Sequence, residues 1–99
     1  MNVTITSRKF KARENLKSYI TDEALSLEKF FDNIQDVEVI LSFQESKEML
    51  KIAEIVVKVP GHVLSATEES EEFEKSVHLA VEKLERQLKK LKTKINERI

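Results

Sequence analysis

Residues 73–95 read FEKSVHLAVEKLERQLKKLKTKI, and they carry the most regular hydrophobic pattern in the chain. At about 100° per residue, seven apolar side chains of this segment fall within about 40° of one line along a helix. They are Phe73, Val77, Val81, Leu84, Leu88, Leu91 and Ile95. Ser70 and the acids after it form a favourable helix start, because a hydroxyl caps free amides and anions meet the positive end of the helix dipole. The segment therefore predicts an amphipathic helix of about six turns.

Four cations of this helix lie on the side opposite the apolar stripe. Relative to Val77 they fall between about 180° and 260°, in a row about 16 Å long. They are Lys83, Arg86, Lys90 and Lys94. Such a row is suited to successive phosphates, since each contact releases counterions. The alternative is an ordinary solvated face, in which Glu82–Arg86 and Glu85–Lys89 form pairs one turn apart.

Working upstream, the pattern changes between a period of two and a helical period. Alternation of apolar and polar residues predicts strands at Met1–Thr6, Val37–Phe43, Ala53–Val59 and His62–Thr67. A helical period runs from about Ala12 to Phe31. The polar segment Gln44–Met49 predicts a hairpin loop, and Pro60-Gly61 predicts a tight turn.

The order of these elements is β-α-β-β-β-α, which predicts an α+β fold. One apolar stripe per helix and one apolar face per strand favour two helices packed on one face of a four-stranded mixed sheet. The other sheet face is then open to solvent. With 99 residues and no linker-like segment, residues 1–99 are expected to form a single domain.

The formal net charge of −1 conceals a strong segregation of charge along the chain. Residues 1–17 carry a net +4 and residues 83–99 a net +5. The cations of the N-terminal set lie around the end of the first strand and the start of the first helix; they are Arg8, Lys9, Lys11, Arg13 and Lys17. Lys29 lies near the far end of that helix. A phosphate backbone responds to the local potential, so these cations either extend the basic row or form a charged loop.

Several function classes are disfavoured by composition. The chain has no Cys and a single Gly, so it offers no thiol nucleophile, thiolate metal site or Gly-rich phosphate loop. His62 and His78 have no metal-ligand spacing around them and are expected to be surface residues. No apolar run reaches the ~18 residues of a membrane span, and the N-terminus does not resemble a signal peptide. We expect a cytoplasmic protein that is not an enzyme, with no cofactor, no metal, no membrane and no small-molecule substrate.

Four segments of the chain carry a resemblance to a known family. The most specific is KLERQLKK at Lys83–Lys90, which resembles part of the last helix of the ribosome hibernation promoting factors and ribosome-associated inhibitors. The sequence NVTITSR at Asn2–Arg8 resembles the family's first strand and turn, and residues 19–31 resemble its first helix. Ala53-Glu54-Ile55 resembles part of its third strand. The resemblance covers the whole chain.

This resemblance implies a fold similar to double-stranded RNA-binding domains and a non-enzymatic role in hibernation during stress and stationary phase. It implies binding to ribosomal RNA of the small ribosomal subunit, in the decoding channel, where the messenger and transfer RNA sites are blocked. The family's basic contacts fall on Lys29, Lys83, Arg86, Lys90 and Lys94. Two positions that are usually basic are Glu23 and Ser26 here. Because this sequence stops at Ile99, the resemblance leads us to expect the short form of the family.

A second hypothesis requires no RNA. Ile40, Ile52 and Val56 are expected on the open sheet face among charged residues. The chain would then be a small protein-interaction module that forms a weak homodimer through this face.

Overall fold

The computed structural model describes residues 1–44 and 49–97, with side chains as far as Ile95. The elements are β1 (Asn2–Ser7), α1 (Glu14–Leu25), β2 (Asp36–Gln44), β3 (Leu50–Val59), β4 (His62–Ser70) and α2 (Phe73–Glu97). A short 3₁₀ helix, Ser26–Lys29, follows α1. The predicted order β-α-β-β-β-α is confirmed. Residues 45–48 of the predicted hairpin loop Gln44–Met49 lie outside the described residues, and Gln44 belongs to β2 instead of the loop.

The four strands form one mixed sheet in the order β1-β2-β3-β4. β1 is parallel to β2, with Val3 opposite Val37, and the other two pairs are antiparallel. The parallel pair requires a crossover connection, which α1 supplies. Both helices contribute to the same core on one face of this sheet, as predicted.

The core is formed by the inward strand residues and the apolar stripe of α2. Val39, Leu41 and Ala53 are fully buried, as are Leu84 and Leu88. Their burial follows from the period of two in the strands and about 3.6 in the helix, which place successive apolar side chains on one side. The predicted stripe is wrong at its last member, because Ile95 remains 41% exposed near the end of α2.

The predicted first helix, Ala12 to Phe31, is wrong in its bounds. The α-helix begins at Glu14 and ends at Leu25, and the chain then tightens into the 3₁₀ helix. At this change the Ser26 hydroxyl donates a hydrogen bond to the Glu23 carbonyl at 2.6 Å. Ser side chains that bond back to the preceding turn favour such local departures from α-helical geometry. Leu27 in the 3₁₀ helix is still fully buried, so its predicted core role is correct.

The turn and the strand that follow β3 determine where α2 begins. Gly61 has φ +78°, and a Cβ added to it would meet no atom within 4 Å, so glycine is required by backbone conformation rather than by space. β4 is three residues longer than predicted and ends at Ser70. Glu68 and Glu69 therefore belong to β4, which extends beyond the predicted end of this strand at Thr67. The Ser70 hydroxyl does accept a hydrogen bond from the Glu72 amide at 3.2 Å, just before α2.

Candidate RNA-binding surface

The four cations predicted as a row on the last helix all lie on the exposed side of α2. Lys83, Arg86, Lys90 and Lys94 are each exposed, whereas Leu84 and Leu88 between them are fully buried. The 100° turn per residue separates the two sets, so packing of the apolar stripe against the sheet forces the cations outward. We call Arg86, Lys90 and Lys94 the basic ridge.

Lys83 differs from the ridge because a carboxylate faces it. Its ammonium group forms an ion pair with Glu68, and the two side chains are 47% and 22% exposed. Glu68 reaches this position because β4 continues beyond Thr67 and projects Leu64, Ala66 and Glu68 on the helix side of the sheet. This extension could not be predicted from the sequence, because the residues at the end of β4 are all polar and show no alternation of apolar and polar side chains. Lys83 is therefore partly neutralised in the free protein.

The ridge itself has a different electrostatic environment. Among the side chains described up to Ile95, Arg86, Lys90 and Lys94 form no ion pair. The alternative pairs considered from the sequence are not formed: Glu82 contacts His78 instead, with Oε1 3.3 Å from Nε2. Lys90 and Lys94 border a groove along β4, where the Gln87 amide donates to the Ser65 carbonyl at 3.0 Å.

Lys29 lies at the end of the molecule where the α2 cations gather. It ends the 3₁₀ helix and is exposed. The next residue, Phe30, carries the ammonium group of Lys89 over its ring, 4.8 Å from the centroid. This cation–π contact joins the connection after α1 to the C-terminal half of α2. Lys29 and Lys89 thus widen the basic ridge on its α1 side.

The N-terminal cations lie at the opposite end of the sheet. Arg8 follows β1 and donates its amide to the Leu41 carbonyl at 2.9 Å. Lys9 has φ +66°, and Lys17 lies 3.8 Å from the Glu14 carboxylate. Because β1 and α1 meet at the end where α2 begins, these cations are separated from Lys90 and Lys94 by most of the length of α2. The structure places two basic regions at opposite ends rather than one continuous patch.

Between the two regions lies a polar cluster that the sequence did not reveal. His78 of α2 contacts Glu23 of α1, with Nδ1 2.7 Å from Oε1, and Tyr19 donates its hydroxyl to the same oxygen at 2.9 Å. The pKa of His78 is raised mainly by its hydrogen bond to Glu23. Burial lowers this pKa, whereas the negative charges of Glu82 and Glu85 raise it further. Burial, followed by Glu23, raises the pKa of Tyr19 to about 12. The predicted surface histidine is exposed but also joins the two helices.

The open face of the sheet carries the residues of the second hypothesis. Ile40, Ile52 and Val56 are half-buried there, and Val63 is 66% exposed. Register places Ile40 opposite Glu54, so acidic and apolar side chains alternate across the face. The surface is therefore mixed in character rather than a continuous apolar patch.

Two further properties concern the described part of the chain. Its helices include none that is both long and apolar enough to cross a membrane. Within residues 1–44 and 49–97, no group of three or more His, Asp or Glu side chains has a metal-binding arrangement.

Comparison with known proteins identifies a family. The family model described as Sigma 54 modulation protein / S30EA ribosomal protein matches residues 3–96. The chain belongs to this family. Among its relatives, the ribosome hibernation promoting factor of Azotobacter vinelandii is 32% identical over 98 residues, covering 99% of this chain and 89% of that protein. The factor of the same name from Pseudomonas putida is 29% identical over 94 residues, covering 95% and 89%.

The fold of the S30EA family is found in this chain. A ribosomal subunit interface protein from Coxiella burnetii superposes with a TM-score of 0.83 at 27% identity, covering 94% of this chain and 99% of that one. The resemblance seen in the sequence, to the ribosome hibernation promoting factors, is thereby confirmed.

Proposed function

We propose that this S30EA-family chain silences translation by binding ribosomal RNA of the small ribosomal subunit in the decoding channel, where it blocks the messenger and transfer RNA sites. The observation that carries the proposal is the basic ridge on the outward side of α2, which forms no ion pair among the described side chains. The names of the relatives support a role on ribosomes in the cytoplasm. The proposed action is steric and requires no catalytic group.

The spacing of the ridge suits a ribose-phosphate strand. Arg86, Lys90 and Lys94 follow one another at four residues, which is about 6 Å along the helix axis. Each cation that meets a phosphate displaces condensed counterions, so binding should weaken as salt rises. Because the buried stripe holds α2 on the sheet as far as Leu91, Arg86 and Lys90 need little ordering of the backbone on binding.

The predicted cations outside the basic ridge would contact the RNA at two different ends of the molecule. Lys29 extends the ridge beside Phe30, and Lys83 joins it once a phosphate competes with Glu68. Arg8, Lys9 and Lys17 would meet a second RNA segment at the far end of the molecule. With extents of 50 × 25 × 18 Å, the chain is long enough for both contacts and bulky enough to exclude other strands from the channel.

Co-sedimentation with isolated small subunits tests the proposal. We expect Lys90→Gln with Lys94→Gln to weaken binding and to lower the slope of log affinity against log salt by about two. A matched control for Lys90→Gln alone is Lys58→Gln, which removes the same charge from an exposed position on the open sheet face. Equal binding of these two single variants would contradict a role for the ridge.

Occlusion requires a separate measurement. We expect the chain to reduce binding of initiator transfer RNA to small subunits carrying messenger RNA, and the Lys90→Gln, Lys94→Gln variant to lose this effect. Simultaneous binding of all three ligands would refute the proposed site. Salt-insensitive self-association in light scattering, without subunit binding, would favour the open-face homodimer instead.

A further inference from the structure

A pocket lies at the end of the molecule where the basic ridge ends. It is an open pocket with a volume of about 310 Å³, and three parts of the chain border it: the segment after the 3₁₀ helix, the turn between β3 and β4, and the last turns of α2. It is lined by Phe31, Asp32, Asn33, Pro60, Lys92 and Ile95. Both loops contain a residue with left-handed backbone geometry, Asn33 at φ +65° and Gly61 at φ +78°. The pocket is thus built on turns of defined conformation.

Ile95 is the first indication that the pocket receives something. It continues the apolar stripe that is buried from Phe73 to Leu91, yet it is 41% exposed. It lines this pocket on one side of α2 and the β4 groove, with Lys90 and Lys94, on the other. The pocket is therefore continuous with the proposed RNA-binding surface through a single apolar side chain.

The lining has the chemistry of a nucleotide site. A flat base would lie against the apolar surfaces of Phe31, Pro60 and Ile95, in the way that unstacked bases of single-stranded RNA are held by aromatic and apolar side chains. Lys92 at the rim supplies a cation for the attached phosphate. A volume of about 310 Å³ is at the lower end of the range for small-molecule sites, roughly 300–1,000 Å³, and suits one nucleotide rather than a larger ligand.

Asp32 adds a basis for selection among bases. An ionised carboxylate only accepts hydrogen bonds, so it favours a base edge rich in donors. Guanine presents adjacent N1–H and N2–H₂ groups on its Watson–Crick edge, whereas uracil presents one N–H between two carbonyls. A guanine is therefore the best partner for the carboxylate at this rim, and uracil the poorest.

We propose that this pocket holds one unstacked base, preferentially guanine, of the RNA strand whose phosphates lie along the basic ridge. The inference rests on the proposed function, since it assigns the pocket to the same RNA. It adds direct recognition of a base to a surface that otherwise contacts only phosphates.

The test is an NMR titration of the full chain with guanosine monophosphate, uridine monophosphate and ribose 5-phosphate as probes. We expect guanosine monophosphate to shift the amides of Asn33, Gly61 and Ile95, and uridine monophosphate to bind about tenfold more weakly. Asp32→Asn should reduce the ratio of the two affinities to near one, and Ile95→Ser should weaken the binding of both nucleotides. Each substitutes an exposed residue, and Asp22→Asn at an exposed position of α1 is the matched control for Asp32→Asn.

Two outcomes would overturn the inference. Equal shifts with ribose 5-phosphate would mean that the lysines bind phosphate and that no base enters the pocket. Absence of shifts at these amides with every nucleotide would exclude the site. Small-subunit co-sedimentation of the same wild-type preparation separates the two proposals: its failure refutes the proposed function, whereas co-sedimentation without nucleotide shifts refutes the pocket alone.

Discussion

Substitution of Glu68 by Gln is expected to tighten RNA binding while slightly destabilising the fold. In the free protein, Glu68 pairs with Lys83 and reduces the positive potential beside the basic ridge. Gln is similar in size and removes the charge, so the ammonium group of Lys83 becomes available to a phosphate. The affinity for RNA should rise while the stability of the fold falls, and this combination is specific to the loss of the Glu68–Lys83 ion pair.

The magnitudes follow from the exposure of the two side chains. Lys83 is 47% exposed, so the water-like limit applies to the repulsion that Glu68 exerts on a nearby phosphate. At a separation of about 6 Å this limit gives about 0.7 kcal/mol, or about threefold in affinity. The lost ion pair should lower the free energy of unfolding by about 0.2–1 kcal/mol, as for other exposed pairs. One added phosphate contact should steepen the salt dependence by about one unit.

Small-subunit binding at several salt concentrations, together with urea unfolding, measures both quantities. Glu69→Gln is a matched control, because it removes the same charge one residue away on the opposite face of the sheet. Combining Glu68→Gln with Lys83→Gln should abolish the gain in affinity. Unchanged or weaker RNA binding by Glu68→Gln alone would show that Lys83 does not meet RNA.

Three further predictions concern the fold that carries the surface. Glu23 raises the pKa of His78 above its ordinary 6.5, so the stability that the protonated imidazole adds to the fold should be complete below about pH 6.5 and lost as pH rises through the raised pKa. The difference in unfolding free energy between wild type and His78→Gln should therefore shrink over that pH range. A pH-independent difference would contradict this prediction. Leu88→Ala should lower the unfolding free energy by about 2–5 kcal/mol in urea titrations, because Leu88 is fully buried under α2; a loss below about 1 kcal/mol would mean that the site collapses around the smaller side chain. Gly61→Ala should cost about 1–2 kcal/mol from its positive φ alone, and an unchanged melting temperature would count against that origin.

Much of the fold and part of the surface follow from sequence patterns that are local in the chain. Alternation in the strands and the helical period of residues 73–95 are properties of neighbouring residues, and both fix which side chains face the core. For the same reason the outward position of Arg86, Lys90 and Lys94 could be predicted: a residue about half a turn from a buried stripe must face solvent. These assignments require no knowledge of which elements are neighbours in space.

The tertiary structure decided which of these side chains meet partners distant in sequence. The pair Lys83–Glu68, the contact of His78 with Glu23 and the position of Lys89 over Phe30 each join two different elements. Such contacts depend on strand length, register and how one helix lies beside another, and a one-dimensional period contains none of these. The exposure of Ile95 also depends on tertiary structure. The sequence shows that this residue is apolar, but its exposure depends on how the end of α2 packs against the loops at that edge of the sheet.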